Sequence, residues 1–115
     1  MLPYKRSQRV SDLLRQEIAD IIMRKIKDPR VGFVTVTGVD LTDDLKIARV
    51  YISCLRDEEK DVTLDILNSA KSFIRSEVGR RVRMKVLPSV EFRIDESLGY
   101  GDRIDKLLKD IKEKH

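Results

Sequence analysis

The amino-acid sequence has little of the chemistry that most catalytic and metal-binding sites need. One histidine, His115, and one cysteine, Cys54, are present among its 115 residues. These numbers exclude a histidine-based catalytic triad, an H-E-x-x-H zinc site, a cysteine-rich metal cluster and an internal disulfide. The phosphate-binding loops G-x-x-x-x-G-K-[ST] and G-x-G-x-x-G are missing as well. The sequence therefore predicts a protein that is not an enzyme and that uses no cofactor and no metal.

Long apolar runs are also missing. No stretch approaches the roughly 20 consecutive apolar residues that a membrane-spanning helix requires. The first residues, Met1 to Arg6, contain no apolar signal core. The sequence therefore predicts a cytoplasmic protein with no membrane partner.

Aromatic side chains are scarce, with three tyrosines, three phenylalanines and no tryptophan. So few rings argue against a protein that stacks unpaired bases on an exposed aromatic sheet. We expect Phe33, Phe73 and Phe92 to lie in the hydrophobic core, which favours recognition of nucleic-acid backbone and shape.

Charged residues, by contrast, are abundant and of mixed sign. They make up 38% of the chain, with 24 lysines and arginines against 20 aspartates and glutamates. Hydrophobic residues make up 41%, which is enough for a core and argues against disorder. The length corresponds to a single domain over 1–115, with its core over about 7–97.

The first half of the chain has the pattern of a helix followed by two strands. Apolar residues spaced by three and four predict a helix that stops at Asp28-Pro29, because proline disfavours the helical conformation of the residue before it. The apolar face of this helix consists of Val10, Leu13, Leu14, Ile18, Ile21, Ile22 and Ile26. β-Branched runs over 33–37 and 45–53 predict two strands, joined by a turn over 40–44.

The second half has the pattern of two helices followed by a strand. A helical period extends over 61–82, and small residues at 69–72 in its middle predict a bend that divides it into two helices. Val90, Phe92 and Ile94 alternate with polar residues, which predicts a half-buried strand. The segment 102–115 is expected to form a short polar helix or tail. The resulting fold class is α+β, a three-stranded sheet with helices on one face.

Basic residues are concentrated between Lys71 and Arg93. Seven lysines and arginines and two glutamates give this segment a net charge of +5, so the remaining 92 residues sum to −1 of the overall +4. Clustered lysine and arginine predict a polyanionic partner, and arginine pairs phosphate oxygens through two hydrogen bonds. A solvated basic surface without a partner is the alternative.

Short motifs occur in a specific order from about Arg9 to Leu108. They are Arg9-Val10, Glu17-Ile18, Asp28-Pro29-Arg30, Thr35-Val36-Thr37-Gly38-Val39, Asp44-Leu45, Ala48-Arg49-Val50-Tyr51-Ile52-Ser53, Phe73-Ile74-Arg75, Pro88, Phe92 and Asp95-Glu96-Ser97. Their order and spacing resemble the ribosome-binding factor A family over nearly the whole chain.

The resemblance implies a type II KH-like domain with the order helix, strand, strand, helix, kink, helix, strand. Ordinary KH domains hold a nucleic-acid backbone with a G-x-x-G loop between two helices. The family has an A-x-G kink at this place. The matching residues are Ala70, Lys71 and Ser72, so serine stands where the family has glycine.

The resemblance also implies a function, the maturation of the small (30S) ribosomal subunit. Such a protein binds free subunits and their 16S ribosomal RNA, supports late assembly and RNA processing, and is associated with growth in the cold. An assembly GTPase of the Era type is its implied functional partner, and we expect a monomer. The residues expected to contact RNA phosphates are Lys71, Arg75, Arg80, Arg81, Arg83 and Lys85, extended by Lys5, Arg6 and Arg9.

Two other classes of function remain open from the residues. A protein-interaction module could use the basic surface to dock an acidic ribosomal or assembly protein, and its complexes would survive RNase. A small hydrolytic or phosphoryl-transfer enzyme would show turnover with a purified sample, and the missing histidines and loops argue against it.

Overall fold

The computed structural model describes residues 6–96, and its elements follow the predicted order. They are α1 (Arg6–Lys25), β1 (Val34–Leu41), β2 (Ile47–Cys54), a single 3-10 turn (Asp57–Glu59), α2 (Lys60–Ser69), α3 (Lys71–Arg81) and β3 (Ser89–Ile94). The helical segment expected over 102–115 lies outside the described residues.

The sheet has the order β1-β2-β3. Strands β1 and β2 are antiparallel, whereas β2 and β3 are parallel. A parallel pair needs a crossover connection, which α2 and α3 provide. The residues that alternate inward are buried beneath the helices, and they are Ala48, Val50, Ile52, Val90 and Phe92. The predicted α+β sheet with helices on one face is confirmed.

Strand β1 is longer than the sequence indicated because a bulge interrupts its alternation. Val36 pairs with Ile52 and Gly38 pairs with Tyr51, so Thr37 is an additional residue in the ladder. Before the bulge the even-numbered residues face the helices, and after it the odd-numbered residues do. Val36 and Leu41 are therefore both buried. The prediction that the strand ends at residue 37 was wrong for this reason.

The turn between β1 and β2 also begins and ends later than predicted. The Thr42 hydroxyl accepts hydrogen bonds from the amides of Lys46 (3.2 Å) and Ile47 (3.1 Å). Leu45 has a φ of 62°, a left-handed conformation that is unusual for leucine. These local bonds hold residues 42–46 in the turn, so β2 starts at Ile47 rather than at residue 45.

Helix α1 contributes the largest part of the core. Leu14, Ile18 and Ile21 are almost completely buried against the sheet and α3, as the predicted apolar face requires. Leu13, at the margin of that face, is exposed. The helix ends at Lys25, three residues before Asp28.

The amide side chain of Asn68, near the end of α2, is bonded to the outer edge of β3. Its Oδ1 accepts from the Phe92 amide (3.0 Å), and its Nδ2 donates to the Phe92 carbonyl (3.3 Å). Asn68 thus takes the place of a neighbouring strand and fixes the position of α2 along β3.

Two of the three phenylalanines do not lie where the sequence placed them. Phe92 is buried, but Phe33 is 80% exposed and Phe73 is 45% exposed. Phe33 precedes β1 and shares the outward parity of Thr35, because Val34 and Val36 point toward the helices. The core prediction was therefore wrong for Phe33, and Phe73 is only partly covered.

Candidate nucleic-acid interface

The break between α2 and α3 occurs at Ala70. This residue has φ −93° and ψ 5°, and its amide donates to the carbonyls of both Ile66 and Leu67. The next helix starts immediately, because the Ile74 amide donates to the Ala70 carbonyl (2.9 Å). The backbone turns without a residue of positive φ, so serine at position 72 is compatible with the kink.

The first turn of α3 presents its main-chain amides at the kink. Amides in the first turn of a helix have no acceptor within that helix, and they form the positive end of the helix dipole. No side-chain cap occupies the start of α3. Lys71, the first residue of the helix, is exposed beside these amides. The kink therefore combines a cation with oriented N–H donors, an arrangement that suits a phosphate.

A groove of about 590 Å³ lies next to the kink, and we call it the kink groove. Its lining consists of Lys25, Ile26, Lys27, Asp28, Pro29, Arg30, Ala70 and Phe73. The end of α1 and the following loop thus bring three cations, Lys25, Lys27 and Arg30, to the start of α3. Sequence reasoning missed them, because basic residues at the end of a helix are expected from the dipole alone.

Arg30 is held in place on the wall of the kink groove. Its side chain donates two hydrogen bonds to the Asp28 carboxylate (3.0 and 2.8 Å), and its amide donates a third (2.9 Å). These bonds lower the pKa of the Asp28 carboxyl to about 2. Asp28 therefore stays ionised and paired with Arg30 at a lower pH than an ordinary aspartate would.

Arg75, one of the predicted RNA-binding residues, has a structural contact. Its guanidinium donates to the carbonyls of Leu87 (3.0 Å) and Pro88 (3.1 Å). These bonds tie α3 to the segment that leads into β3, where Pro88 is buried. The guanidinium therefore stabilises the fold on which the kink depends.

Arg81 also makes contacts within the fold, between α3 and α1. Its guanidinium donates to Asp20 (2.6 Å) and Glu17 (3.3 Å). The hydrogen bond from Arg81, with a second from Arg24, holds the pKa of the Asp20 carboxyl below its ordinary value. The ion pair fixes the two helices against each other.

The remaining predicted cations are exposed, as Arg75 also is in spite of its two hydrogen bonds. Arg80 is 76% exposed and pairs with Glu77 (3.0 Å), while Lys71, Arg83 and Lys85 are exposed. Arg83 and Lys85 follow α3, so they lie toward the end opposite the kink. These four side chains are available to a ligand at the surface.

Arg9, one of the three predicted N-terminal cations, lies toward the end of α3 opposite the kink. Arg81 at the end of α3 meets Glu17, whereas the start of α3 meets Lys25, so α1 and α3 are antiparallel. Arg9, which is exposed, precedes Glu17 by about 12 Å of helix. Arg6 begins α1, and Lys5 lies outside the described residues.

Two further kinds of feature can be judged from the described residues. Residues 6–96 contain no cluster of histidine, cysteine, aspartate and glutamate that could hold a metal ion. Within the same part of the chain, no helix is long and apolar enough to cross a membrane.

Comparison with protein families decides the relationship. The sequence model of ribosome-binding factor A matches residues 6–108. The chain belongs to the ribosome-binding factor A family. A curated ribosome-binding factor A from Thermodesulfovibrio yellowstonii is 58% identical over 112 residues, covering 97% of this chain and 95% of the relative.

Solved structures of ribosome-binding factor A share this fold. The crystal structure of the Thermus thermophilus protein has a TM-score of 0.71 at 31% identity, covering 79% of this chain and 97% of that one. A homology model of the Thermus thermophilus factor, fitted into a cryo-electron-microscopy map of a complex with the 30S subunit, has a TM-score of 0.66 at 31% identity, covering 78% and 96%. The KH-like α+β fold implied by the family resemblance is in agreement with them.

Proposed function

We propose that this protein binds free small ribosomal subunits through their 16S ribosomal RNA, supporting late assembly and RNA processing in the cytoplasm. The observation that carries the proposal is the grouping of exposed cations around a helix break. At this break, the amides of the first turn of α3 have no acceptor within that helix. A Thermus thermophilus member of the family has been fitted into a map of its 30S complex. The protein acts by binding rather than by catalysis.

The RNA backbone lies along the kink groove and the accessible side of α3. Phosphates there are contacted by the exposed cations, which are Lys25, Lys27, Arg30, Lys71, Arg80, Arg83 and Lys85. Lys5, Arg6 and Arg9 add further phosphate contacts, and of these Arg9 lies on α1 beyond the end of α3. Recognition relies on contacts with phosphates. Such contacts position a nucleic acid irrespective of its sequence.

Arg75 and Arg81 contribute to RNA binding mainly by holding α3 in place. Each guanidinium already has two protein acceptors, so its charge adds to the local potential while its hydrogen bonds hold α3 in place. An RNA contact by Arg75 or Arg81 uses the donors that remain, since a guanidinium has five N–H groups.

The family relationship supports two further parts of the proposal. The protein acts as a monomer, and its role is linked to that of an Era-type assembly GTPase. The same relationship connects it with growth in the cold, when RNA helices rearrange more slowly.

The experiment that tests the proposal is co-sedimentation with free small subunits, large subunits and mature ribosomes over a series of salt concentrations. We expect binding to free small subunits that weakens as salt is added. For each phosphate contact, the logarithm of the binding constant should fall by about 0.7 to 0.9 per tenfold rise in salt concentration. Equal binding to all three particles would reduce the basic groups to general polyanion affinity. Binding that survives complete RNase digestion would instead identify a docking module for an acidic protein.

A further inference from the structure

Two large apolar side chains lie side by side at one end of the sheet's outer face. Phe33 is 80% exposed and Leu55 is 73% exposed. The Leu55 amide donates to the Phe33 carbonyl (3.1 Å), which joins the two residues just beyond the β1–β2 ladder. Thr35 and Ser53 on the same face, with atoms of the neighbouring Cys54, complete the lining of a concavity of about 350 Å³, which we call the Phe33–Leu55 patch.

The fold does not need these two side chains in its core. The inward positions at this end of the sheet are Val34 and Cys54, which pair across the strands and face the helices. Isolated apolar residues on a surface are ordinary, but two neighbours that line one concave surface are typical of a contact site. The hydrophobic contribution of both side chains is therefore still available to a partner.

The border of the Phe33–Leu55 patch is acidic. Residues 56–61 contain four acids and two bases. Both bases are paired, Lys60 with Asp57 (3.2 Å) and Arg56 with Glu59 (3.9 Å), while Glu58 and Asp61 are exposed. A net charge of −2 thus follows directly after Leu55.

The same acidic segment also lies close to Phe33. A Cβ atom added to Gly32 would collide with the carboxylate of Glu59, so the loop before β1 rests against the 3-10 turn. The acidic segment therefore borders the patch beside Phe33 as well as beside Leu55.

The Phe33–Leu55 patch lies at the opposite end of α2 from the kink groove. The kink groove meets this part of the chain only at Ala70 and Phe73. A second, smaller cavity, lined by Asp28 and Arg30, runs along α2 from Val62 to Ala70. Gly32, by contrast, meets Glu59 before the start of the helix. Ten residues of helix separate the two ends by about 15 Å. Both surfaces can be occupied at the same time.

We propose that the Phe33–Leu55 patch docks a lysine- and arginine-rich protein segment that inserts an apolar side chain between Phe33 and Leu55. The acidic border attracts basic flanks and repels phosphates, which favours a polypeptide over a nucleic acid. A central apolar anchor within a charged rim is the usual composition of a protein interface. Basic segments are common in proteins that themselves bind RNA, so such a partner fits a protein whose other end binds RNA.

The first test is a titration of the full chain, labelled for amide NMR, with a short synthetic peptide in which leucine and phenylalanine are flanked by lysine and arginine. We expect shifts at Phe33, Leu55 and their neighbours. Phe33→Ser combined with Leu55→Ser should weaken binding by about tenfold or more, since both anchors are lost. Met23→Ser removes an equally exposed side chain (74%) from α1 and should leave binding unchanged.

Several outcomes of the titration would overturn the proposal. A charge-reversed peptide that binds as tightly would remove the role of the acidic border. A uridine oligonucleotide that shifts Phe33 would make the patch an RNA-stacking site. Concentration-dependent shifts without any peptide, abolished in the double variant, would make the patch a contact between copies of this chain.

The second test uses the small-subunit complex, with the photo-reactive change Phe33→p-benzoylphenylalanine. We expect cross-links that resist RNase and are destroyed by protease, whereas the same change at Val86, which is exposed beside Lys85, should cross-link to RNA. Cross-links from position 33 to RNA, or none while position 86 reacts, would contradict the inference. A complex that never forms would count against the proposed function alone, because the peptide titration needs no ribosome.

Discussion

The two ends of helix α2 carry opposite charge, although both rest on the same hydrophobic core. At its C-terminal end, Lys71 and the three cations of the kink groove outnumber two acids, Asp28 in the groove and Asp65 in the adjoining cavity. At its N-terminal end, four acids surround two paired bases. The modest overall charge of +4 conceals this division.

The loop over 26–33 is the feature that produces the division. It runs along α2, carrying Lys27 and Arg30 to the kink and Phe33 to the acidic turn. A single connection between α1 and β1 therefore contributes to both surfaces. The comparison teaches that a charge pattern in the sequence becomes a surface only after the loops have been placed.

The largest effect is expected on the stability of the fold, at a core residue close to the kink. Ile74, in the first turns of α3, is completely buried. Ile74→Ala should lower the free energy of unfolding by about 2–5 kcal/mol, because it removes buried methyl groups and leaves a cavity. Denaturant titration measures the change. Leu55→Ala, at the other end of α2, should change it by less than about 0.5 kcal/mol, and an equal loss would contradict the exposed position of Leu55.

The next effect separates the two neighbouring arginines at the end of α3. Arg81→Ala should lower the thermal midpoint by more than Arg80→Ala, because only Arg81 joins α3 to α1. Asp20 has a lowered pKa, so the pair stabilises the fold above the ordinary value of 3.8 and its contribution fades as pH falls below that value. The difference between wild type and Arg81→Ala should therefore shrink in acid; a difference that grows there would exclude this account.

A third effect concerns RNA binding along α3, which has Lys71 at the kink and Arg80 near its other end. Lys71→Ala together with Arg80→Ala should weaken binding to free small subunits and reduce the salt slope by about 0.7 to 0.9 for each contact removed. Arg56→Ala removes an exposed cation from the acidic end of α2 and should leave the slope unchanged. Equal effects of the two sets would mean that only total charge matters.

The smallest effect is expected on RNA binding when one carboxylate is removed at either end of α2. Asp28→Asn removes the one negative charge of the kink groove and frees Arg30, so RNA binding should tighten a few-fold. Asp61→Asn removes the same charge at the other end of α2 and should change binding less. Isothermal titration with a ribosomal RNA fragment compares the two; weaker binding in Asp28→Asn would show that Arg30 has to be held in place.

Much of the fold could be predicted because its signals are local. The small residues at 69–72 indicated the break between α2 and α3, and the alternation of Val90 and Phe92 indicated β3. Gly38, a glycine inside a strand, does signal the bulge beside it. The left-handed Leu45 could not be predicted, because leucine seldom adopts that conformation. The boundaries of β1 and β2 shifted accordingly.

The candidate site was predicted only in part, for a different physical reason. Composition indicated where cations are dense, but not which of them have acceptors in the fold. Arg75 and Arg81 have contacts that depend on Pro88 and Asp20, residues distant in the sequence. Lys25, Lys27 and Arg30 join Lys71 only through tertiary structure. The assignment of individual residues to RNA contacts stays a prediction.

The bond between Asn68 and Phe92 has a consequence for how the protein behaves at high concentration. An open strand edge offers amides and carbonyls to which a strand of another molecule can add, a common route to aggregation. On β3, whose only partner strand within residues 6–96 is β2, the Phe92 groups at that edge are already bonded to Asn68. A foreign strand would have to displace the side chain before it could extend the sheet. Asn68 thereby protects the folded protein from self-templated β assembly along this edge.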